Sequence, residues 1–197
     1  MIPVTIPVRT KKPVKAKNRE HLKELIAETI AKNGPQCDLN YIDVSDVVNM
    51  RSLFKDSPFN GDISRWDVSN VVDMSYMFCS SKFNGNIASW NVSSVRTMNS
   101  MFRGSVFNGD IGDWNVSAVT DMGEMFFESQ FNGEIGKWNV ANVTKMGNMF
   151  LASPFNGNIA EWDVSNVKAM HSMFGETPLE KNGKIPSWYK ETDWGFV

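Results

Sequence analysis

The side chains that could do chemistry are few and scattered. Histidine occurs twice, at His21 and His171, and cysteine twice, at Cys37 and Cys79. Nucleophilic catalysis needs a nucleophile and a base within hydrogen-bond reach of each other. Two histidines at opposite ends of a 197-residue chain offer no such set. Zinc-ligand spacing and a glycine-rich phosphate loop are both missing from the sequence. The expectation is a protein that is not an enzyme and takes no cofactor. Methionine and tryptophan remain, at 12 and 7 residues. Methionine sulfur is a soft-metal ligand and tryptophan a stacking platform. Their positions decide whether either chemistry applies.

Those positions are periodic, which points to a repeat architecture. Phe59, Phe83, Phe107, Phe131 and Phe155 each open a Phe-Asn-Gly triplet, 24 residues apart. Trp66, Trp90, Trp114, Trp138 and Trp162 keep the same interval. Met50, Met74, Met98, Met122, Met146 and Met170 form a third ladder, and Leu53, Met77, Met101, Met125, Met149 and Met173 a fourth, each of these followed by Phe. Ladders at core spacing, with phenylalanine beside them, read as packing rather than as metal or sugar sites. Tryptophan shares its phase with Ile63 and Val68, which also places it inward.

One repeat runs FNGDISRWDVSNVVDMSYMFCSSK, residues 59–82. Alternation around Trp66-Asp67-Val68 predicts a short strand, and the spacing Val71, Met74, Met77 and Phe78 predicts a helical turn. Parallel strands are expected near 42–44, 66–68, 90–92, 114–116, 138–140 and 162–164. Helical turns are expected near 47–54, 71–78, 95–102, 119–126, 143–150 and 167–174. Such a unit buries too little by itself, so neighbours must stack. The fold class expected is α/β, a right-handed leucine-rich-repeat-like solenoid of 24-residue coils. Its parallel sheet lies on one side and its short helical turns on the other.

The ends read as caps. Residues 18–33 form an amphipathic helix with Leu22, Leu25, Ile26 and Ile30 on one face, Asn18 as its cap and Gly34-Pro35 as its stop. The expected organisation is a basic arm over 1–17, a capping helix over 18–37, the repeats over 38–178 and a C-terminal cap over 179–197. In that last segment Ile185-Pro186-Ser187-Trp188 repeats the Ile-x-x-Trp spacing. Residues 2–8 alternate Ile2, Val4, Ile6 and Val8 with Pro3 and Pro7, compatible with an edge strand or a disordered tail. Two coils before Cys79 the equivalent position is Ala31, six residues from Cys37 in register. A separation of two coils is about 10 Å at sheet spacing, beyond disulfide reach, so both are expected as free thiols.

Net charge is −2, unevenly spread. Arg9, Lys11, Lys12, Lys15, Lys17 and Arg19 make the first 19 residues wholly basic, ahead of an acidic body. A solvated arm is the plain reading, and a grip on phosphate, on an acidic partner or on nucleic acid the alternative. The start, MIPVTIPVRTKK, lacks a basic region before its apolar part. A cytoplasmic protein is expected if the chain is complete, and a surface or secreted one if a signal peptide precedes it.

The pattern FNG-[DNE]-I-x-x-W-[DN]-V-[SA]-x-V-x-x-M-x-x-MF, five times over, resembles the BspA-like family of bacterial surface repeats. The resemblance covers roughly residues 38–178 and implies a leucine-rich-repeat-like solenoid that binds other proteins in adhesion or host interaction. An intracellular inhibitor or immunity protein, acting by binding, is the alternative. In either role the outward positions beside each tryptophan are the candidate partner contacts. These are the varied set Arg65, Ser89, Asp113, Lys137 and Glu161, and the uniform column Asp67, Asn91, Asn115, Asn139 and Asp163. Asp43 extends that column. Its short polar side chains also suit local bonding to neighbouring backbone, and a calcium role lacks the Gly-rich Asp loops of calcium-binding repeats.

Overall fold

The computed structural model describes residues 12–192. Two short parallel strands and two helices are its only regular elements: β1 (Val14–Lys15), α1 (Arg19–Asn33), β2 (Ile42–Asp43) and α2 (Pro178–Lys181). Everything between β2 and α2 is turn and extended chain, organised by hydrogen bonds between residues about 24 apart. Isolated parallel bridges link Asn49 to Asp73, Asp73 to Thr97, Thr97 to Asp121, Asp121 to Lys145, and Lys145 to Ala169. Successive 24-residue coils therefore lie side by side, in register. Residues 35–58 form the first coil, and the Phe-Asn-Gly triplets open the next five.

The pairing falls in a different part of the coil from the one expected. The Trp66-Asp67-Val68 segment and its equivalents carry no ladder; only the first, at Ile42–Asp43, is a strand, and it pairs with β1. The segments expected as helical turns are instead the most regular hydrogen-bonded wall of the molecule. Met50, Ser52, Phe54 and Asp56 donate their amides to the carbonyls of Asp73, Ser75, Met77 and Cys79 in the following coil, at 2.8–3.0 Å. Met74, Tyr76, Phe78 and Ser80 do the same to Thr97, Asn99, Met101 and Arg103. An amide committed to the next coil cannot close an α-helical turn.

Tight turns occupy the same stretch. The Leu53 amide reaches the Met50 carbonyl and the Ser57 amide the Phe54 carbonyl. Ser52 (φ 59°) and Asp56 (φ 56°) are the third residues of those turns, the left-handed position that type II turns require. The same positive φ recurs at Tyr76 and Ser80, Ser100 and Gly104, Glu124 and Glu128, and Asn148 and Ala152. Consecutive turns of this kind place Met, Met and Phe inward at a spacing that a helix would also give.

The core is made of ladders. The tryptophans from Trp66 to Trp162 and the methionines from Met74 to Met149 are buried in every coil. Phe54, Phe78, Phe102, Phe126, Phe150 and Phe174 stack in one column with centroids 5.5–5.9 Å apart. Phe59, Phe83, Phe107, Phe131 and Phe155 form a second column at 6.1–6.4 Å. Offset stacks at these distances add to the stabilisation from burial alone. Each indole also donates across the junction, Trp66 to the Leu39 carbonyl at 3.0 Å and Trp90 to that of Ile63 at 3.2 Å.

Both ends of the stack are covered. The Asn18 side chain accepts the His21 amide at 3.0 Å and begins α1. Gly34, at φ 82°, returns its amide to the Ile30 carbonyl and ends it. Leu22 and Ile26 are buried against the first coil, with Leu25 and Ile30 packed at the margin. At the other end Thr177 caps α2. Trp188 follows it, stacked 6.4 Å from Trp162, with its indole on the Ile159 carbonyl.

Candidate interaction face

The tryptophan of each coil is inward, so its two neighbours in sequence face out. Arg65, Asp67, Ser89, Asn91, Asp113, Asn115, Lys137, Asn139, Glu161 and Asp163 are all exposed. The structure brings them together as two adjacent columns running along the stack. Contacts made by the varied column are loose: Arg65 to Asp38 at 3.7 Å and Lys137 to Asp113 at 3.9 Å. Exposed pairs at that separation hold their side chains weakly and leave them available to a partner.

The Asp/Asn column does local work. Asp67 Oδ1 accepts from the Ser69 amide at 3.1 Å and from the Ser69 hydroxyl at 2.6 Å. Asn91 and Asn115 repeat both bonds with Ser93 and Ser117. Asn139 accepts the Ala141 amide and Asp163 the Ser165 amide. The Ser69 and Ser165 hydroxyls, then the backbone amides, hold Asp67 and Asp163 below the usual carboxylate range. Asp43 is lowered in the same way by Ser45. Either residue type makes the turn, which is why aspartate and asparagine alternate there.

Charge divides between the two halves of the coil. In the halves from Phe-Asn-Gly to just past the tryptophan, the charged residues are Asp38, Asp43, Asp46, Asp62, Asp67, Asp110, Asp113, Glu134, Glu161 and Asp163 against Arg65 and Lys137. The other halves carry Arg51, Lys55, Lys82, Arg96, Arg103, Lys145 and Lys168 against Asp56, Asp73, Asp121, Glu124, Glu128 and Glu176, close to balance. An acidic wall and a neutral wall result. The acidic wall includes an open groove lined by Asp110, Asp113, Glu134, Lys137 and Asn158. Its floor holds Gly112 and Gly136, where a Cβ would meet the Glu134 and Asn158 carbonyls at 2.5 and 2.4 Å.

The neutral wall carries features that sequence reading missed. Arg103 pairs with Glu124 and lies over the Phe127 ring at 4.6 Å, and Arg51 lies over the Tyr76 ring at 4.7 Å. Their residue types change from coil to coil above an unchanging core, and that variability was the available signal. The inward Val, Met and Phe spacing of the same segment masks it.

Among the described residues the basic arm does not form one cluster. Arg9 and Lys11 lie outside the described residues, and Lys12 and Lys17 are exposed. Lys15, in β1, pairs with Asp46 at 2.7 Å, and that carboxylate holds its ammonium above the ordinary range. Arg19 pairs with Glu20 and donates Nε and Nη2 to the Arg51 carbonyl, at 3.0 and 2.6 Å. Two of the candidate phosphate ligands are thus committed to the chain itself. Cys37 and Cys79 are buried, and no disulfide joins them.

Among the described residues no helix is long and apolar enough to cross a membrane, and no group of three or more His, Cys, Asp or Glu gathers as a metal would need. A family model described as "Mycoplasma protein of unknown function, DUF285" matches residues 21–129 and again residues 105–192. No curated protein and no solved structure matches the chain.

Proposed function

The chain belongs to that Mycoplasma repeat family, and from it we propose a non-enzymatic, leucine-rich-repeat-like scaffold that binds a basic partner protein through its acidic wall. The carrying observation is the segregation of charge. Ten carboxylates and two cations occupy one half of the coils, exposed or half-exposed, while the core beneath hardly changes. Packing does not dictate which half of a coil bears charge, so the segregation is free to serve recognition. A wall of one sign steers an oppositely charged partner and suppresses wrong ones. Shared coil geometry fixes the backbone at Arg65, Ser89, Asp113, Lys137 and Glu161, so only their side chains need ordering on binding. The resemblance to BspA-like repeats makes adhesion the first role to test. An inhibitor that neutralises a basic protein would use the same wall, and the partner's own location separates the two.

The deciding variant is Asp113→Lys with Glu161→Lys. Both side chains are exposed, so circular dichroism and melting temperature should stay put. Capture of the wild-type partner should fall at least tenfold. Arg103→Glu on the opposite wall should leave capture intact. Equal loss from both variants would place the interface elsewhere.

A further inference from the structure

Along the middle of the neutral wall the backbone bonds between coils point one way, while at its margins amides such as Val72 and Lys82 point back, to the Val48 and Ser57 carbonyls at 2.8 and 3.0 Å. At each of five junctions, four amides of one coil donate to four carbonyls of the next, from Met50 to Asp73 through Ala152 to Gly175. A row of bonds so aligned has a donor end and an acceptor end, like a helix with its unsatisfied terminal groups. Here the donor end is at the coil that ends with Glu176, and the described residues after it, 177–192, do not offer the row of backbone carbonyls that each earlier coil meets.

That end is closed by side chains. The Met170 amide donates to Thr192 Oγ1 at 3.1 Å, the Ser172 amide to Glu191 Oε1 at 2.8 Å and the Glu176 amide to Glu180 Oε2 at 2.7 Å. These three amides occupy the positions that, in every earlier coil, bond backbone carbonyls. Tyr189, packed edge-on to Phe174, donates its hydroxyl to Glu191 and holds that carboxylate in place. The acceptor end has the converse arrangement. Arg19, in the first turn of α1, gives two donors to the Arg51 carbonyl, which belongs to the row that faces backward from the first coil. Carboxylates sit on the amide end and a guanidinium on the carbonyl end, each opposite in character to the groups it covers.

We propose that these side chains are seals which keep the stack from adding to itself, and that the amide end is a latent docking edge for a second copy of this chain. The two ends of one molecule are complementary by construction, because every internal junction is the same donor row meeting the same acceptor row. Joining the amide end of one copy to the carbonyl end of another repeats that junction. Such a contact is head-to-tail and does not close, so it grows into linear assemblies. Covering exposed edges with charge is a general defence against this outcome. At the carbonyl end α1 is the remaining cover, and Arg19 is the bond that ties its first turn down.

The test uses the full chain with Glu180→Ala, Glu191→Ala and Thr192→Ala, and the same set with Arg19→Ala added. The fourfold variant should give assemblies whose mass rises with concentration over a hundredfold range in light scattering. The threefold variant should stay far smaller, since its carbonyl end remains tied. A set with Glu180→Gln and Glu191→Gln, which keeps an amide oxygen for each terminal donor, should remain monomeric. A folded fourfold variant that stays monomeric throughout overturns the proposal. So does one that stops at a dimer, since two like ends would then be meeting. If alanine unfolds the end, Arg19→Ala paired with Glu191→Lys carries the same expectation and the same two overturning results.

Discussion

Trp114 donates its indole N–H to the Ile87 carbonyl, 3.1 Å away and one coil back. The ring is buried between Trp90 and Trp138, which repeat the bond to Ile63 and Ile111. One side chain therefore fills the core and also satisfies a backbone acceptor in the neighbouring coil. The two contributions separate under substitution. Trp114→Phe keeps most of the apolar volume but leaves the Ile87 carbonyl without its donor, at about 1–3 kcal/mol. Trp114→Ala adds a cavity and should cost about 3–5 kcal/mol. Urea unfolding with an unchanged slope checks both. A Trp114→Phe midpoint equal to that of the wild type would show that the bond contributes nothing separable.

Gly104 occupies the left-handed position of its turn, at φ 63°. Its counterparts in other coils are Asp56, Ser80, Glu128, Ala152 and Glu176, so this backbone site tolerates a side chain where none is β-branched. Space at Gly104 is adequate, with the nearest atom to an added Cβ being the Ser80 hydroxyl at 3.3 Å. Gly104→Ala should therefore change stability by under about 1 kcal/mol, because relief of unfolded-state entropy offsets the left-handed strain. Gly104→Val should be worse by about 1–2 kcal/mol, since a branched side chain fits that region poorly. Indistinguishable melting temperatures for Ala and Val would contradict the turn assignment.

The period of 24, the inward tryptophans and methionines and the Asn18 and Gly34 caps were all legible, because each rests on side-chain type at fixed spacing. The form of the wall was not. Val71, Met74 and Met77 satisfy a helical face and a run of type II turns equally well, and only the destination of the backbone amides tells them apart. Positive φ at residues such as Tyr76 and Glu124 has no sequence signature, since neither is a usual left-handed residue. Stacking with the neighbouring coil imposes that conformation. The candidate columns were placed correctly on the surface from the tryptophan phase alone. The role of Arg19 was hidden, because nothing local announces a bond to a carbonyl 32 residues away.

Acid should find the aspartates of the turn column. Ser69 and Ser165 hold the Asp67 and Asp163 carboxylates below the ordinary value of 3.8. A lowered carboxylate contributes stability that is present above the ordinary value and lost as pH falls through the lowered one. Asn91 and Asn115 make the same bonds with nothing to titrate. Asp67→Asn with Asp163→Asn should therefore match the wild type at pH 7 and lose less stability between pH 4 and pH 2. Parallel acid curves for the two proteins would assign acid sensitivity to other carboxylates.

Salt distinguishes an electrostatic interface from an apolar one. The acidic wall holds its charges in water, with the Lys137 and Asp113 side chains 88% and 90% exposed, so their long-range field is screened within about 8 Å at physiological ionic strength. If a basic partner docks there, raising salt from about 50 to 500 mM should slow association by tenfold or more while dissociation changes little. Asp113→Lys with Glu161→Lys should flatten that salt dependence, because it removes the charge that salt screens. Docking on the neutral wall, around Phe127 and Arg103, would give the opposite pattern. Association would barely respond to salt, and Phe127→Ala would act through faster dissociation, as truncation of a buried aromatic anchor does. Measuring both rates across the salt series for these two variants assigns the wall.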